Sequence, residues 1–512
     1  MFRKFSKNVP LAALSAVMAA GMIMSPLSAS AAAGTVPSEA KTVAVTVNNI
    51  EGAAEVTAYR VVKPVYNDEG FVRFEKASGV SIADIEKPTS AEATAIAQAI
   101  LNGTVSPDKT VKMTGSGTTY TASLPAGEYV VLVKNASNAK FIYNPMIVSA
   151  YFTDANEEDS LTSAATLDAS GTFGGAYAKK ATITLDKEIT DADGVTVKDD
   201  DSEDGSQADD LGVGDTGKFT IRTKIPAYSD SYKAKGVTFK LEDTQDAGLD
   251  KPENIAVTVG GASVKAGTGT FTQTITDNDF TLDFDSAFAL AHAGQNVVVT
   301  YEAKLNNNAA QKFDANNNHV KLSFTNDAYA KGNLAYLEDD VQEYTFPVQI
   351  KKTNEEQAPL EGAEFTLTRT DAGTKTGTNT YTIATDKNGI AQFDRLDEGT
   401  YSVRETKAPA GYAVNPDTFT VKITPEYNAD GSLKKYNVAM VNASKANAAV
   451  GNISVENPDA DILAGNITDS KLQTLPSTGG SGTMMAAVIA AGLAGVTLTL
   501  VVYGKKKEKE VK

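Results

Sequence analysis

The sequence predicts an all-β protein built from tandem immunoglobulin-like β-sandwich domains. Short runs of alternating apolar and polar residues recur, for example over residues 43–47, 219–225 and 297–305. Alternation with a period of two is typical of strands that bury one face. Turn residues such as those at 386–389 separate the runs. Many short strands between turns favour sandwiches over parallel sheets.

Composition narrows the class of protein. The chain has 512 residues, enough for three or four domains at about 100–200 residues each. Its net charge of −17 argues against a nucleic-acid partner, because such partners need clustered lysine and arginine. It has no cysteine, so disulfides are excluded. It has only two histidines, His292 and His319, which argues against a Ser-His-Asp triad or a histidine-rich zinc site. We therefore expect no enzyme and no cofactor.

The N-terminus indicates secretion. Arg3, Lys4 and Lys7 precede an apolar run that ends in small residues, which is typical of a secretory signal peptide. We assign residues 1–33 to it and begin the mature protein after them.

The C-terminus carries three signals in a fixed order. A short peptide comes first, with the residues Leu475, Pro476, Ser477, Thr478 and Gly479. An apolar run over 483–503 follows, long enough at about 20 residues to cross a bilayer, and then lysines at 505–507 that favour the cytoplasmic side. The peptide matches the LPxTG signal read by sortases. A sortase cysteine would attack the Thr478 carbonyl and pass the acyl group to an amine, so we expect a secreted, cell-wall-anchored protein.

Between the two termini, three β domains are predicted over residues 34–177, 178–345 and 346–458, followed by a linker over 459–474. The first domain contains one helix over 90–101, which a capping box opens and Gly103 ends. An acidic run over 199–210 is predicted to be a solvated loop. Calcium would suit its oxygens, but EF-hand spacing is lacking, so no metal is predicted.

Several charged or amide side chains occupy strand positions that alternate in step with apolar residues. Such residues point into the core, because side chains on a strand alternate between two faces. In both the second and the third domain the set is one lysine on the first strand, one acid, and one asparagine on the last strand. The second domain contributes Lys187, Asp243 and Asn318, and the third contributes Lys352, Glu405 and Asn457. The first domain offers no complete trio.

The repeated trio predicts an intramolecular Lys–Asn isopeptide bond in each of these two domains. An unpaired buried charge is costly, and the alternative, a buried ion pair, would have to arise twice in the same chain order. Burial yields a neutral, nucleophilic lysine, and the acid would relay protons as ammonia leaves. In the second domain the rival acid Glu242 points outward. The rival asparagine Asn326 lies on the same strand face as Asn318, so strand alternation does not decide between the two asparagines.

Three segments of the third domain, at 352–354, 360–365 and 401–412, resemble the collagen-adhesin B-type domain. The last resembles the E-box of sortase-assembled pilins, which implies that Glu405 is catalytic, and Asn457 fits the family's final-strand asparagine. Residues 213–216, Asp243 and Asn318 are similar to the isopeptide-forming fimbrial domain, and the family-like position of Asn318 favours it over Asn326. The first domain resembles the family's N-terminal domain at 143–145.

As a whole, the chain resembles Gram-positive major pilins of the SpaA type. That resemblance implies a lysine that attacks the sortase-bound threonine of the next subunit, in many relatives within a Tyr-Pro-Lys motif. Tyr177-Ala178-Lys179 is the nearest counterpart here, so Lys179 is expected, with Lys180 as the alternative.

The resemblance also implies a function. We expect the structural shaft subunit of a covalent surface pilus. Its expected partners are sortase, further copies of itself, minor pilins and peptidoglycan, with host receptors left open. The alternative is a monomeric wall-anchored adhesin that binds a host protein or glycan and needs no acceptor lysine. A wall-anchored hydrolase would need paired carboxylates, and no such pair stands out.

Overall fold

A computed structural model describes residues 40–67, 70–85, 87–153, 166–170, 176–191, 206–371, 377 and 379–472. These residues form three successive β domains, which confirms the predicted fold class. The predicted signal peptide, the sorting peptide at 475–479 and the apolar run at 483–503 lie outside the described residues. Within the described ranges, no helix is long and apolar enough to cross a membrane.

The first domain is a nine-stranded sheet with one helix packed on it. Over its described residues the strand order is β10-β1-β5-β4-β2-β6-β8-β9, with β3 on β2. The strands are β1 Val43–Asn48, β2 Ala53–Asn67, β3 Gly70–Lys76, β4 Lys109–Ser116, β5 Thr119–Leu124, β6 Gly127–Asn135, β7 Phe141–Tyr143, β8 Met146–Thr153, β9 Thr166–Ser170 and β10 Ala176–Tyr177.

Helix α1, Ser90–Asn102, begins and ends as the sequence predicts. The Thr89 hydroxyl accepts from the Glu92 N–H, and the Glu92 side chain accepts from the Thr89 N–H. Gly103 ends the helix with a φ of 75°, a left-handed conformation that glycine adopts without steric cost. Ile96 and Ala97 of α1 pack on Val130 and Leu132 of β6.

Glu128 is the one buried acid beneath this helix in the described part of the first domain. It is fully buried, and neither carboxylate oxygen has a hydrogen-bond partner among the described protein groups. Burial, and then the nearby Asp84 and Glu92, raise its pKa from the ordinary 4.5 to about 8. The folded domain therefore holds this proton up to about pH 8, whereas the unfolded chain loses it near 4.5.

This proton makes the stability of the first domain depend on pH. Stability falls from about pH 4.5 to 8, because the folded state binds more protons across that window. We expect Glu128→Gln to raise the free energy of unfolding at pH 8 by on the order of 1–3 kcal/mol, and the melting temperature with it. Little change is expected at pH 4.5. Thermal unfolding at both values measures this, with exposed Glu75→Gln as control. An equal effect at the two pH values would contradict the assignment.

The second domain is a sandwich of two sheets with one continuous core. In the described residues the five-stranded sheet has the order β12-β14-β20-β16-β17, and the six-stranded sheet β13-β22-β21-β15-β19-β18. A short β11, Lys180–Thr182, pairs with β7 of the first domain. The remaining elements are β12 Leu185–Ile189, β13 Ala208–Asp210, β14 Thr216–Lys224, β15 Phe239–Gln245, β16 Glu253–Val259, β17 Ala262–Val264, β18 Phe271–Thr276, β19 Asp279–Phe284, α2 Ser286–Ala291, β20 Asn296–Lys304, β21 Asn316–Thr325 and β22 Leu334–Tyr344, with a 3-10 helix at Asp230–Ala234.

The third domain packs a three-stranded sheet, β26-β23-β31, on a six-stranded sheet, β25-β24-β27-β28-β29-β30, as far as its residues are described. Its strands are β23 Phe346–Asn354, β24 Glu364–Arg369, β25 Thr380–Ala384, β26 Ile390–Leu396, β27 Gly399–Lys407, β28 Thr418–Tyr427, β29 Leu433–Asn442, β30 Ala448–Val455 and β31 Leu463–Asp469.

The prediction of a linker over 459–474 is wrong for residues 463–469, because they form β31. This strand pairs in parallel with the first strand, β23, and aligns Ile467 with Lys352. Its inward residues are Gly465, Ile467 and Asp469. A glycine and an acid obscure the apolar alternation that predicts a strand, and the partner strand is distant in sequence.

Side chains tie the domains to one another. Asn326, the rival asparagine, donates from Nδ2 to the carbonyls of Ala136 (3.0 Å) and Ala139 (3.2 Å) in the first domain. The end of the acidic run is not a solvated loop as predicted: Asp209 and Asp210 are buried on β13. Asp210 is held there because its carboxylate accepts the Glu398 N–H (2.7 Å) of the third domain. Residues 199–205 of the run lie outside the described chain.

Candidate functional site

The second domain brings Lys187, Asp243 and Asn318 into one buried site. The Lys187 Nζ lies 2.5 Å from Asp243 Oδ2 and 2.5 Å from Asn318 Oδ1, and all three residues are fully buried. The lysine comes from β12 in one sheet. The acid and the asparagine come from the neighbouring strands β15 and β21 in the other sheet. The site therefore spans the interior of the sandwich.

Burial favours the uncharged forms of this pair. It lowers the pKa of the Lys187 ammonium, and the nearby Asp243 carboxylate only partly offsets that effect. Burial likewise raises the pKa of Asp243, with Lys187 opposing. A neutral amine is nucleophilic and a protonated acid can donate a proton. The arrangement can thus support attack by the lysine on the asparagine side chain.

The rival residues of this domain lie elsewhere. Glu242 is partly exposed and accepts from Lys240 at 2.6 Å. Asn326 is engaged at the junction with the first domain. The choice between Asn318 and Asn326, which strand phase alone left open, follows from which asparagine contacts Lys187.

The third domain builds a related site with a different third residue. The Lys352 Nζ lies 3.4 Å from Glu405 Oε2 and contacts Asp469 Oδ1. Exposure of the three side chains does not exceed 1%. Burial raises the pKa of Glu405, the Asn415 N–H (2.6 Å) and Lys352 lower it, and the adjacent Asp469 raises it again. Two carboxyl groups and one lysine therefore share this pocket.

Asn457 does not reach Lys352, contrary to the prediction. It is exposed beyond the end of β30, where its Oδ1 accepts the Asp459 N–H at 3.1 Å. The inward phase of β30 ends at Val455. The final strand is β31 rather than β30, and the residue that contacts the lysine is Asp469. The alternation of Gly465, Ile467 and Asp469 was the sequence signal that could have found it.

The first domain has the same local architecture as the third. In β6 the Tyr129 hydroxyl donates to the Pro125 carbonyl at 2.8 Å, and in β27 the Tyr401 hydroxyl donates to the Asp397 carbonyl at 2.8 Å. A glycine with positive φ precedes each tyrosine by two residues. Counting from these tyrosines places Val133 where the third domain has Glu405.

The other two positions are also apolar in the first domain. The strand that pairs in parallel with β1 aligns Ala176 with Val47, as β31 aligns Ile467 with Lys352. Val47 thus occupies the position of Lys352, and Ala178, two residues after Ala176, occupies that of Asp469. Val47, Val133 and Ala178 are buried together in one core. The first domain therefore has no reactive trio at the equivalent site.

The two candidate acceptor lysines differ in their surroundings. Lys179 is exposed between β10 and β11. Lys180 forms an ion pair with Glu51 and lies over the Phe141 ring, 4.7 Å from its centroid. An amine that attacks an enzyme-bound thioester must be accessible, and Lys179 is the accessible one. Its predicted acyl partner, Thr478, lies outside the described residues.

Three known protein families match separate parts of this chain. Residues 346–438 match the SpaA prealbumin-like fold domain. Residues 40–177 match the T6 antigen Ig-like domain. Residues 467–511 match the LPXTG cell wall anchor motif. The protein is anchored at the cell wall of a Gram-positive bacterium, as predicted.

A solved structure has the same fold over most of the chain. The T6 backbone pilin of serotype M6 Streptococcus pyogenes, described as a modular three-domain structure, superposes with a TM-score of 0.57 at 22% identity. That alignment covers 85% of this chain and 100% of the pilin. This is a backbone-pilin fold. The major pilin SpaD of Corynebacterium diphtheriae aligns over 86% of this chain and 99% of its own, with a TM-score of 0.48 at 17% identity.

A sequence relative agrees with the structural match. The trypsin-resistant surface T6 protein of Streptococcus pyogenes serotype M6 is 26% identical over 536 aligned residues, covering 90% of this chain and 94% of that protein. The predicted resemblance to sortase-assembled major pilins is confirmed. Within the described ranges, no group of three or more acidic or histidine side chains is placed to hold a metal ion.

Proposed function

We propose that the protein is the shaft subunit of a covalent pilus. Thr478 of one subunit would be joined by a sortase to Lys179 of the next, and the last subunit to peptidoglycan. The observation that carries the proposal is the order of features along the chain: an exposed lysine, two domains with buried lysine sites, and a cell wall anchor. A head-to-tail contact of this kind does not close on itself and yields an open polymer.

The second domain would form a bond between Lys187 and Asn318. The neutral Lys187 amine attacks the Asn318 carboxamide carbon, a C–N bond forms, and the C–Nδ2 bond breaks. Asp243, in contact with the amine, gives a proton to the leaving group and takes the proton that the lysine loses. Ammonia is released, and the product carries no buried lysine charge.

The third domain would form a bond between Lys352 and Asp469. Here the Asp469 side-chain carboxyl is the electrophile, attacked by the Lys352 amine that it contacts. Glu405, in contact with Lys352, transfers the proton to the departing hydroxyl. The C–O bond breaks and water, rather than ammonia, is released.

The first domain would form no such bond, because Val47, Val133 and Ala178 are chemically inert. This difference fits the proposed linkage. Tension between Lys179 and Thr478 passes through the second and third domains only, since the first domain precedes Lys179. The two domains on the tension path would thus be the two that are covalently braced.

The polymer is tested by replacing each lysine in a strain that makes the pilus. We expect Lys179→Ala to reduce the ladder of wall-extracted protein in denaturing gels to a single band, because the acceptor amine is lost. The matched variant Lys180→Ala should keep the ladder. Peptide mapping of the wild-type polymer should give a branched peptide that joins Thr478 to Lys179. A single band from the wild-type wall would instead support the monomeric adhesin.

A further inference from the structure

A tyrosine hydroxyl lies inside the reactive site of the second domain. Tyr301 of β20 is buried, and its hydroxyl lies 3.0 and 3.2 Å from the two Asp243 carboxylate oxygens. It also lies 2.8 Å from Asn318 Nδ2 and 3.0 Å from Asn318 Oδ1. The hydroxyl therefore touches both the acid and the group that the lysine would attack.

Packing fixes the position of this hydroxyl. The Tyr301 ring stacks on Phe219 with centroids 5.3 Å apart and meets the edge of Phe280 at 5.0 Å. Phe219 is also its cross-strand partner on β14. The hydroxyl is thus held in place before any reaction begins, which is the preorganisation that proton transfer requires.

Asp243 is placed to exchange a proton with Lys187, whereas its connection to Asn318 runs through other groups. Among the hydrogen bonds of the described residues, those that link Asp243 to Asn318 pass through Tyr301 and Lys187. The leaving nitrogen of Asn318 also donates to Gln245 Oε1 at 3.4 Å. A proton that starts on Asp243 reaches that nitrogen by way of the Tyr301 hydroxyl.

We propose that Tyr301 is a catalytic residue of the second domain, which relays a proton from Asp243 to the departing nitrogen of Asn318. The inference rests on the proposed Lys187–Asn318 bond. As Lys187 attacks, the C–N bond forms and the lysine nitrogen keeps its protons and becomes positively charged. The Tyr301 hydroxyl donates to Asn318 Oδ1 as negative charge develops there.

The second half of the reaction uses the same hydroxyl. Asp243 gives its proton to the Tyr301 oxygen, and Tyr301 gives its own proton to Nδ2. The C–Nδ2 bond then breaks and ammonia leaves. Asp243 Oδ2 takes the proton that the lysine nitrogen loses, so that both Tyr301 and Asp243 regain their starting protonation. Burial raises the pKa of Tyr301, so the hydroxyl stays protonated and passes a proton on instead of resting as an anion.

The third domain supports this assignment by contrast. There Glu405 and Asp469 both contact the Lys352 amine, and Asp469 is close enough to Glu405 to raise its pKa. The ring beside this lysine is Phe365, 5.8 Å from Lys352 Nζ, which has no hydroxyl. An acid beside the electrophile needs no relay. The second domain separates the two groups and places a tyrosine between them.

Intact-mass measurement of the secreted ectodomain tests the relay. Tyr301→Phe removes only the hydroxyl, and we expect ammonia loss from the second domain to slow by about 100-fold or more, the typical contribution of a general acid–base group. Water loss from the third domain should stay complete and serves as an internal control. Tyr228→Phe, which removes another buried hydroxyl of the same domain, bonded to the Thr325 carbonyl at 3.0 Å, should leave ammonia loss unchanged.

A second variant separates proton transfer from packing. In Tyr301→His the imidazole ring fills the space of the tyrosine less well than the phenylalanine ring of Tyr301→Phe does, but it carries an exchangeable proton. It should form the bond faster than Tyr301→Phe, with a rate that varies between about pH 5 and 8, where imidazole titrates. A purely structural role predicts the reverse order of rates and no such pH dependence.

The outcomes distinguish the relay from the bond itself. If the wild-type second domain loses no ammonia, the proposed bond fails. If the wild type loses ammonia and Tyr301→Phe does so at the same rate, or if Tyr301→His reacts no faster than Tyr301→Phe, the bond stands and the relay is overturned.

Discussion

The intact mass of the secreted ectodomain should fall below the calculated mass by one ammonia and one water. The second domain releases ammonia because its electrophile is an amide, Asn318. The third releases water because Asp469 is an acid. High-resolution mass spectrometry separates this result from the loss of two ammonia molecules, which a bond through Asn457 would give.

Single substitutions assign each loss to a domain. Relative to the calculated mass of each variant, Asp243→Ala should raise the measured mass by one ammonia, and Glu405→Ala should raise it by one water. Neither substitution should affect the other site, because the two sites lie in separate cores. Glu242→Ala, a partly exposed neighbour of Asp243, is the matched control and should change neither loss. A full calculated mass for the wild type would reject both bonds.

Asp469→Ala should cause the largest loss of stability, in the third domain. The Lys352–Asp469 bond would close a loop of nearly the whole domain, and by analogy with disulfides a loop of roughly 100 residues contributes about 4–5 kcal/mol. The variant also leaves the buried Lys352 without one of its two acidic partners, which adds to the cost. Denaturant unfolding of the ectodomain should show the midpoint of the third domain shifted down.

Asp469→Asn is the control for this effect. It keeps an electrophile of nearly the same shape, so the bond should still form, now with release of ammonia, and the unfolding midpoint should stay near that of the wild type. Asn457→Ala should change neither mass nor midpoint, because Asn457 is exposed. An unfolding midpoint unchanged in Asp469→Ala would show that no covalent tie exists there.

The two bonds would have a mechanical consequence. Each joins the first strand of its domain to a late strand: β12 to β21 in the second domain, and β23 to β31 in the third. Force that enters at Lys179 and leaves at Thr478 would meet a covalent tie in each domain instead of separating strands. The first domain lies outside that path and relies on the noncovalent packing of Val47, Val133 and Ala178.

Features that depend on local order along the chain could be predicted from the sequence. Strand alternation predicted the all-β class, and the phase of Lys187, Asp243, Lys352 and Glu405 placed them inside, because side-chain direction on a strand follows from a period of two. The capping box at Thr89 predicted helix α1 for the same reason, since every group involved lies within one turn.

Which residues face one another across the sandwich depends on how the two sheets pack, and the sequence pattern does not show it. Asn318 and Asn326 share one phase, and only the packing of three domains shows that the first contacts Lys187 and the second ties two domains. Asp469 was missed because β31 is recognised by its pairing with β23, a contact between residues far apart in sequence. Tyr301 looked like an ordinary core residue, because a strand's period fixes the face of a side chain but not its neighbours on the opposite sheet.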